Sequence, residues 1–413
     1  MPAQPTIVLL AAGKNSRFFP LNTTTHKAGI SLLGKPLILR TLENLQAHDF
    51  KKVVIVISPK DNEPGGLADI LSQASLELDL KVVLQPEPKG MGDALLKARE
   101  FIEGSFIVAH PYYLTAGSII QQMLGKNQNL ICVTETNTPW EYGIVQLEND
   151  KAVGIVEKPE KGSEPTNLKN VVLHLLGETF LQILEKTPIS EYSYEAALNQ
   201  LMKQQPVGVH HLVPAPISLK YPWELLSLQA DLLIKQKSNI SSQASIASTA
   251  IIDQTQGPVV IEPGAKVGHA ARVVGPAYIG RNSVVGDFSL VRESNLEEQV
   301  LVGAYTEIAR SNIQPKSSIH NSYLADSIVG KQVKIGAGFI TANKRHDRKP
   351  IATLVKGNNI DTGLINLGTV IGDLTAIGVR VTTMPGVFIG SQTTIYPGLT
   401  LFDQTDHQQI RKQ

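Results

Sequence analysis

The chain has 413 residues, a formal net charge of +1 at pH 7 and one cysteine. This length is sufficient for two or three domains, and the balanced charge argues against a basic surface for nucleic acid or an anionic membrane. The lone cysteine excludes an internal disulfide framework and is typical of a reducing compartment. No apolar run reaches the roughly 20 residues of a membrane helix, and the N-terminus lacks the basic region of a signal peptide. We therefore expect a cytoplasmic protein that binds neither nucleic acid nor membrane.

The first half of the chain alternates short apolar strands with helical patterns. A strand is predicted at residues 6–12, a helix from Pro36 onward and a second strand at residues 52–58, and the alternation continues to about residue 134. Such alternation predicts an α/β domain with a mostly parallel, Rossmann-like sheet. Ligands bind outside the carboxyl ends of the strands in these sheets, so the loop after the first strand is a candidate site.

That loop carries Gly13, Arg17 and, further on, Lys27. Backbone amides in a loop rich in small residues can hold a phosphate, and an arginine adds a planar, fork-shaped cation. The alternative is an ordinary strand-to-helix turn with a solvated arginine. The residues alone leave both interpretations open.

The second half repeats with a period of six residues. A branched apolar residue recurs through residues 261–291, and the same spacing returns later in the chain, at Ile261, Val267, Val273, Ile279, Val285 and Val291, and again at Ile371, Ile377, Ile389 and Ile395. A hexapeptide repeat predicts a parallel β-helix in which each hexad forms one short strand and a turn. We expect the apolar residues to stack inward and the following glycines to serve turns that need positive φ.

Helical spacing at residues 225–237 and a serine-rich run after it predict a connecting helix and a linker. The predicted domains are residues 1–228 for the α/β domain, 229–245 for the connection, 246–405 for the β-helix and 406–413 for a tail.

Residues 9–38, which read LLAAGKNSRFFPLNTTTHKAGISLLGKPLI, resemble the opening of the sugar-1-phosphate nucleotidylyltransferases. The resemblance continues through QPEPKGMGDA at residues 85–94 and through later short motifs. It implies a transfer in which a sugar-1-phosphate attacks the α-phosphorus of a nucleoside triphosphate such as UTP or dTTP. The resemblance assigns catalytic neutralisation of the triphosphate to Arg17 and Lys27, nucleotide binding to Ala12, Gly13, Gln85 and Gly90, and sugar-phosphate binding to Gly143, Glu157, Lys158 and Asn167.

The metal positions of that family are altered in this sequence. The family's Mg²⁺-binding aspartates align with Tyr112 and Ser218. Mg²⁺ prefers hard oxygen ligands with carboxylate charge, which neither residue supplies at neutral pH. Mg²⁺ is thus expected from the resemblance, but the sequence does not identify its ligands. A displaced site at Asp93 or Glu87 remains an alternative.

The string from His320 to Asp326, followed by IGAGFITAN at residues 335–343, is similar to the acetyltransferase half of another family. That family comprises the bifunctional glucosamine-1-phosphate N-acetyltransferase/N-acetylglucosamine-1-phosphate uridylyltransferases. The resemblance implies a left-handed β-helix, a homotrimer and acetyl-CoA as the co-substrate. A histidine is suited to accept a proton near neutral pH. The resemblance makes His320 the general base and assigns binding of the amino-sugar-1-phosphate to Arg292, Tyr323, Asn343 and Lys349.

Two hypotheses follow for the whole chain. The first is a two-domain enzyme of amino-sugar nucleotide synthesis, and the second is a non-catalytic relative that binds a sugar nucleotide. An insertion at residues 341–364 interrupts the hexads and carries several basic residues. It is either a solvated loop or a flap over a phosphate or coenzyme A.

Overall fold

The computed structural model describes residues 4–24, 26–125, 129–405 and 409–410. The chain divides into two compact units: the first contains Met1–Lys14 and Pro36–Pro216, and the second contains Asn15–Lys35 and Ile217–Gln413. This division differs from the predicted boundary at residue 228. The segment Asn15–Lys35, predicted within the α/β domain, belongs to the second unit.

The first unit and the segment Asn15–Lys35 contain eleven strands and six helices among the described residues. The strands are β1 (Thr6–Ala11), β2 (Ser31–Leu32), β3 (Lys35–Pro36), β4 (Lys52–Ile57), β5 (Asp79–Leu84), β6 (Phe106–Ala109), β7 (Leu130–Glu135), β8 (Gly143–Glu148), β9 (Lys151–Glu157), β10 (Leu168–Leu176) and β11 (Val207–His211). The helices are α1 (Leu37–Ala47), α2 (Leu67–Ser72), α3 (Met91–Lys97), α4 (Ala116–Met123), α5 (Glu178–Lys186) and α6 (Ser193–Gln204).

Nine of these strands form one mixed sheet in the order β5-β4-β1-β6-β10-β7-β11-β9-β8. Strands β5, β4, β1 and β6 run parallel, and β10 pairs antiparallel with both β6 and β7. Every residue of β1 is buried, which explains its unbroken apolar sequence, because a central strand covered on both faces needs no polar side. The sequence prediction of an α/β domain is confirmed.

The second unit begins its regular structure with a helix and continues as short parallel strands. Helix α7 (Glu224–Ile234) starts five residues before the predicted connection at 229, and the first strand of the repeats precedes residue 246. The strands are β12 (Asn239–Ile240), β13 (Ser245–Ile246), β14 (Ile251–Asp253), β15 (Val259–Ile261), β16 (Lys266–Val267), β17 (Arg272–Val274), β18 (Ala277–Ile279), β19 (Val284–Val285), β20 (Leu290–Arg292), β21 (Asn295–Leu296), β22 (Leu301–Val302), β23 (Glu307–Ala309), β24 (Asn312–Ile313), β25 (Ser318–Ile319), β26 (Tyr323–Ala325), β27 (Ile328–Val329), β28 (Lys334–Ile335), β29 (Ile340–Thr341), β30 (Ala352–Val355), β31 (Asn358–Asp361), β32 (Thr369–Ile371), β33 (Ala376–Ile377), β34 (Thr382–Thr383), β35 (Val387–Ile389), β36 (Thr394–Ile395), β37 (Thr400–Leu401) and β38 (Gln409–Ile410).

Every third strand joins the same sheet, so the repeats build three stacked parallel sheets, consistent with a left-handed β-helix. One sheet has the order β12-β15-β18-β21-β24-β27-β32-β35, and the other two follow the same rule. The predicted hexad residues, from Ile261 to Leu401, form one continuous buried core. The prediction of an inward-stacking core from the six-residue period is therefore confirmed. Of the predicted tail, residues 406–408 and 411–413 lie outside the described residues, whereas β38 continues one sheet by pairing with β36.

The expectation that the hexad glycines supply positive φ is wrong at several positions. Gly268, Gly280 and Gly286 do not have left-handed φ, which falls instead on non-glycine residues such as Phe288 and Tyr305. A Cβ on Gly286 would lie 2.6 Å from the backbone nitrogen of the next coil. Because real Cβ atoms do not approach so closely, these glycines are needed for close coil-to-coil contact.

The insertion at residues 341–364 is partly ordered as an antiparallel hairpin of β30 and β31. The hairpin interrupts the repeats without entering their sheets. No helix among the described residues is long and apolar enough to cross a membrane.

Candidate functional sites

The carboxyl ends of β1 and β5 in the first unit carry the predicted nucleotide-binding residues. Ala12 is buried and Gly13 is exposed directly after β1. Gln85, which is also buried, donates through Nε2 to the Gly90 carbonyl at 3.1 Å. Gly90 has φ of 99°, and a Cβ there would lie 2.6 Å from the Glu191 carbonyl oxygen. The structure therefore brings Gln85 and Gly90 together, and this turn depends on glycine.

The predicted sugar-binding residues Gly143 and Glu157 face each other across the β8–β9 hairpin. A Cβ on Gly143 would lie 2.4 Å from Glu157 Oε1, so the absence of a side chain makes room for this carboxylate. Lys158 follows with φ of 44°, and its backbone amide donates to the Tyr142 carbonyl at 3.0 Å. Asn167 is exposed just before β10.

A groove of about 460 Å³ lies beside Glu157 and Lys158. Its wall includes three residues of the segment 192–199 that the sequence did not single out: Tyr192, Glu195 and Asn199. Asn199 fixes the opposite wall, because its Oδ1 accepts from the Ile155 amide at 2.7 Å and its Nδ2 donates to the Ile155 carbonyl at 3.1 Å.

Glu195 is the unusual charge in this groove. Burial is the main cause that raises its pKa to about 7, and the nearby carboxylates of Glu157 and Glu191 contribute in the same direction. Its Oε2 is buried without a hydrogen-bond partner among the described residues. No sequence motif marked Glu195, because only the packing of α6 against β9 places it beside Glu157.

The expected magnesium site does not fit the residues present. Tyr112 stands at the aligned position, buried and stacked on His110 with ring centroids 5.1 Å apart. No group of three or more His, Cys, Asp or Glu residues that could hold a metal occurs in the described part of the chain. The alternative ligands are engaged elsewhere: Asp93 accepts from Gln85 at 2.8 Å, and Glu87 pairs with Lys89 at 2.9 Å. We therefore derive no catalytic step through Mg²⁺.

Arg17 and Lys27 belong to the second unit. Arg17 is exposed, whereas the Lys27 ammonium is buried, donates to the Leu219 carbonyl and lies 5.7 Å from the centroid of the Phe18 ring. Burial lowers the pKa of Lys27 to about 7; Glu224 opposes this shift, and the charge of Arg17 adds to it. A bound polyanion would favour the charged form of this lysine.

His320 occupies an exposed corner of the β-helix between β25 and β26. The strand register aligns it with Gly303 in the preceding coil and Gly336 in the following one. A Cβ on Gly303 would lie 3.4 Å from His320 Nδ1, so the bare glycine leaves room for the imidazole. The hexad pattern therefore carries a histidine where the neighbouring coils carry glycine.

The opposite end of the same strand carries a polar cluster centred on Asp326. The Asp326 carboxylate accepts from Arg310 Nε at 2.6 Å and Nη2 at 2.8 Å, and from Asn343 Nδ2 at 2.5 Å. The hydrogen bond to Asp326 raises the pKa of Arg310, and Tyr323 contributes in the same direction. The structure thus groups the predicted residues Tyr323 and Asn343, and adds Arg310 and Asp326 to them.

Two other residues predicted for this site, Arg292 and Lys349, have bonding partners other than Asp326. Arg292 is half-buried and pairs through Nη2 with Glu307 at 2.9 Å. Lys349 is exposed on the insertion, where its backbone amide donates to Asp347 at 3.2 Å.

Comparisons with known proteins identify relatives of both the α/β domain and the whole chain. Residues 6–210 match the sequence model of the family described as "Nucleotidyl transferase". A bifunctional sugar-1-phosphate nucleotidylyltransferase/acetyltransferase from Sulfurisphaera tokodaii is 30% identical over 94% of this chain and 95% of its own. The bifunctional protein GlmU from Methanococcus maripaludis is 32% identical over 94% of this chain and 92% of its own.

Among solved structures, a UDP-glucose pyrophosphorylase from Acinetobacter baumannii is similar with a TM-score of 0.49 and 21% identity. It covers 57% of this chain and 95% of its own. The full-length similarity to the two curated relatives spans both units in the same order. The chain therefore belongs to the family of bifunctional sugar-1-phosphate nucleotidylyltransferase/acetyltransferases.

Proposed function

We propose that the β-helix transfers an acetyl group from acetyl-CoA to the amine of an amino-sugar-1-phosphate, with His320 as the general base. The amine nitrogen attacks the thioester carbonyl carbon, the carbon–sulfur bond breaks and coenzyme A leaves with the sulfur. His320 accepts the proton that the amine loses. The observation that carries the proposal is the placement of an exposed imidazole between two glycine corners, just before the strand that begins at Tyr323 and is followed by Asp326.

The Asp326 cluster supports a role in binding the sugar phosphate. Arg310 and Asn343 are already oriented by one carboxylate, so binding needs little further ordering of these side chains. Tyr323, Arg292 and Lys349 complete the proposed set. In the free protein Arg292 is held by Glu307, and we expect a phosphate to compete for that cation.

For the first domain we propose binding of a nucleoside triphosphate, UTP or dTTP, and of a sugar-1-phosphate, with nucleotidyl transfer as the second activity. The presence of Arg17 and Lys27 on one segment supports triphosphate binding, and the groove beside Glu157 and Lys158 supports sugar binding. Mg²⁺ is expected for the family, but its ligands are not evident in the described residues. We also propose a homotrimer, which light scattering would report as three times the 44.8 kDa chain mass, and a cytoplasmic location.

Thiol release from acetyl-CoA with glucosamine-1-phosphate tests the main proposal. A positioned general base contributes about 10²–10⁴-fold, so we expect His320→Ala to lower the rate by at least about 100-fold. His269→Ala is the matched control, because His269 is an exposed histidine on the same corner of an earlier coil. Equal rates for His320→Ala and the wild type would exclude His320 as the base.

Magnesium-dependent pyrophosphate release from UTP or dTTP with a sugar-1-phosphate tests the second activity. Release would show that the metal is held by residues other than Tyr112 and Ser218. Thiol release without pyrophosphate release would mean that only the β-helix is catalytically active. No activity in either assay would favour a non-catalytic, ligand-binding relative.

A further inference from the structure

The segment Asn15–Lys35, which carries Arg17 and Lys27, packs on the β-helix within the second unit. Four polar side chains lie at the ends of two adjacent strands of the β-helix, and three of them bond to this segment. We call them the polar ladder: Asn295, Glu297, Asn312 and Gln314. All four are at most 2% exposed, which is unusual for amide and carboxylate side chains unless they are hydrogen-bonded.

The ladder bonds to the backbone of three residues near the end of the segment, Ser31, Leu33 and Gly34. Gln314 pairs with Ser31 in both directions, with Nε2 donating to the Ser31 carbonyl at 2.8 Å and Oε1 accepting from the Ser31 amide at 3.3 Å. Asn295 Oδ1 accepts from the Leu33 amide at 3.3 Å. Glu297 Oε2 accepts from the Gly34 amide at 3.0 Å. Because these hydrogen bonds are made to backbone groups, they restrict the backbone conformation of the segment.

The turn at Leu33 and Gly34 is held by its own geometry as well. Both residues have positive φ, 52° and 75°, as a tight two-residue hairpin turn requires. A Cβ on Gly34 would lie 2.3 Å from the Tyr278 hydroxyl oxygen. A residue other than glycine at position 34 would therefore need a strained backbone and a shift of the Tyr278 side chain.

The ladder side chains are also hydrogen-bonded to one another and to α7. Asn295 Nδ2 donates to Glu297 Oε1 at 2.8 Å, and Gln314 Nε2 donates to Asn312 Oδ1 at 2.6 Å. Asn312 Nδ2 in turn donates to Gln229 Oε1 at 2.9 Å on α7. A connected network of this kind restricts each rotamer and so presents a preformed surface.

A second anchor holds the segment near its middle. Ser391 Oγ donates to the Pro20 carbonyl at 3.1 Å and lies 2.5 Å from Thr23 Oγ1. Thr24 Oγ1 donates to the Asp373 carboxylate. Lys27 lies between this anchor and the ladder, and the Lys27 ammonium is itself bonded to Leu219.

We infer that the polar ladder holds the segment of Arg17 and Lys27 in place for triphosphate recognition, so that Asn295, Glu297 and Gln314 of the β-helix are positioning residues for the nucleotide. The inference rests on the proposed nucleotide-binding role of the first domain. Two cations that repel each other lose affinity for a polyanion when their segment is free to separate them.

The test compares the wild type with Gln314→Met, which keeps the side-chain length and removes both hydrogen bonds to Ser31. Gln243→Met is the matched control, because Gln243 is exposed on the β-helix. Thr24→Val is a second variant that loosens the middle anchor through a half-buried residue and so carries less risk of misfolding. Full-length proteins are used throughout.

Two readouts separate anchoring from binding. Hydrogen–deuterium exchange should rise at least about tenfold at the amides of Ser31, Leu33 and Gly34 in Gln314→Met, with the exchange of β-helix core strands unchanged. The Kd values for UTP and for inorganic tripolyphosphate should each rise at least about tenfold, and the Kd for acetyl-CoA should not change.

The outcomes distinguish this inference from the proposed function. Unchanged exchange in both variants would overturn the anchoring, and faster exchange with unchanged UTP affinity would overturn the positioning role alone. If the wild type binds neither UTP nor tripolyphosphate, the proposed nucleotide role fails and the positioning role falls with it.

Discussion

Lys27 is a buried cation whose folded environment disfavours its charge. Burial lowers its pKa from 10.5 to about 7. Between these two values the unfolded chain binds more protons than the folded one, so stability should rise with pH across that window. Below about pH 7 both states are protonated, and the full destabilisation is present.

We therefore predict that the melting temperature of the wild type rises, relative to Lys27→Met, as pH increases from 7 to 10. The methionine keeps the apolar stem and removes the titrating group. Lys266→Met, at an exposed lysine of the β-helix, controls for the loss of one positive charge. A constant difference between wild type and Lys27→Met over this range would contradict the lowered pKa.

Glu195, in the first unit, has a raised pKa, and its effect on stability has the opposite pH dependence to that of Lys27. Its pKa is raised from 4.5 to about 7, chiefly by burial, so the folded state binds more protons between these values and stability falls as pH rises through them. We predict that Glu195→Gln melts at a higher temperature than the wild type at pH 8 and at the same temperature at pH 4.5.

The expected shift for Glu195→Gln is a few degrees, because 1 kcal/mol moves the melting temperature of a domain of 150–250 residues by about 2–4 °C. Calorimetry at the two pH values measures it. Glu160→Gln, at an exposed glutamate of the same unit, is the control. An equal shift at both pH values would show that the effect is not titration of Glu195.

At the scale of elements, the glycines of the β-helix have two separate roles. Gly286 lies at a close contact between coils, where a Cβ would meet the Ala304 nitrogen at 2.6 Å and the Gly303 carbonyl carbon at 2.7 Å. Gly398 has φ of 76° with open space around its Cβ position. The first position excludes a side chain by collision, and the second only disfavours it by backbone strain.

We predict that Gly286→Ala destabilises the protein more than Gly398→Ala does. The strain at a left-handed position is about 1–2 kcal/mol, whereas a collision with backbone on the next coil also displaces that coil. Melting temperatures of the two variants provide the comparison. A larger loss in Gly398→Ala would mean that turn conformation, rather than coil contact, limits the repeat.

At the scale of the whole molecule, the proposed acetyl-transfer and triphosphate sites lie on different parts of the chain. His320 and Asp326 flank one β-helix strand, whereas Arg17 lies on a segment that the β-helix holds. We predict that Arg17→Gln raises the Kd for UTP about tenfold or more, since one charge-assisted contact contributes about 1.5–3 kcal/mol, and leaves thiol release from acetyl-CoA unchanged.

The reciprocal variant completes this comparison. His320→Ala should lower the rate of thiol release by at least about 100-fold and leave UTP binding unchanged. Titration calorimetry with UTP and the thiol assay on the same preparations measure both quantities. Loss of both properties in either single variant would show that the sites are coupled or that the variant is misfolded, and circular dichroism separates these two cases.

The repeating core and the local motifs could be predicted from the sequence alone. The six-residue period follows from side chains that stack on their own copies, so it identified the buried residues from Ile261 to Leu401 directly. The helix and strand alternation predicted the α/β sheet for the same reason, because each element buries its own apolar face. The motif containing His320, Tyr323 and Asp326 is also local, since one strand separates the histidine from the aspartate.

Only the tertiary structure decided which distant residues meet. Glu195 is beside Glu157 because α6 packs on β9, and Arg310 and Asn343 share the Asp326 carboxylate because successive coils bring them together. The segment Asn15–Lys35 reads as part of the α/β domain, yet its contacts are with the β-helix. Contacts between residues hundreds of positions apart leave no period in a single sequence, because neither partner constrains its own neighbours along the chain.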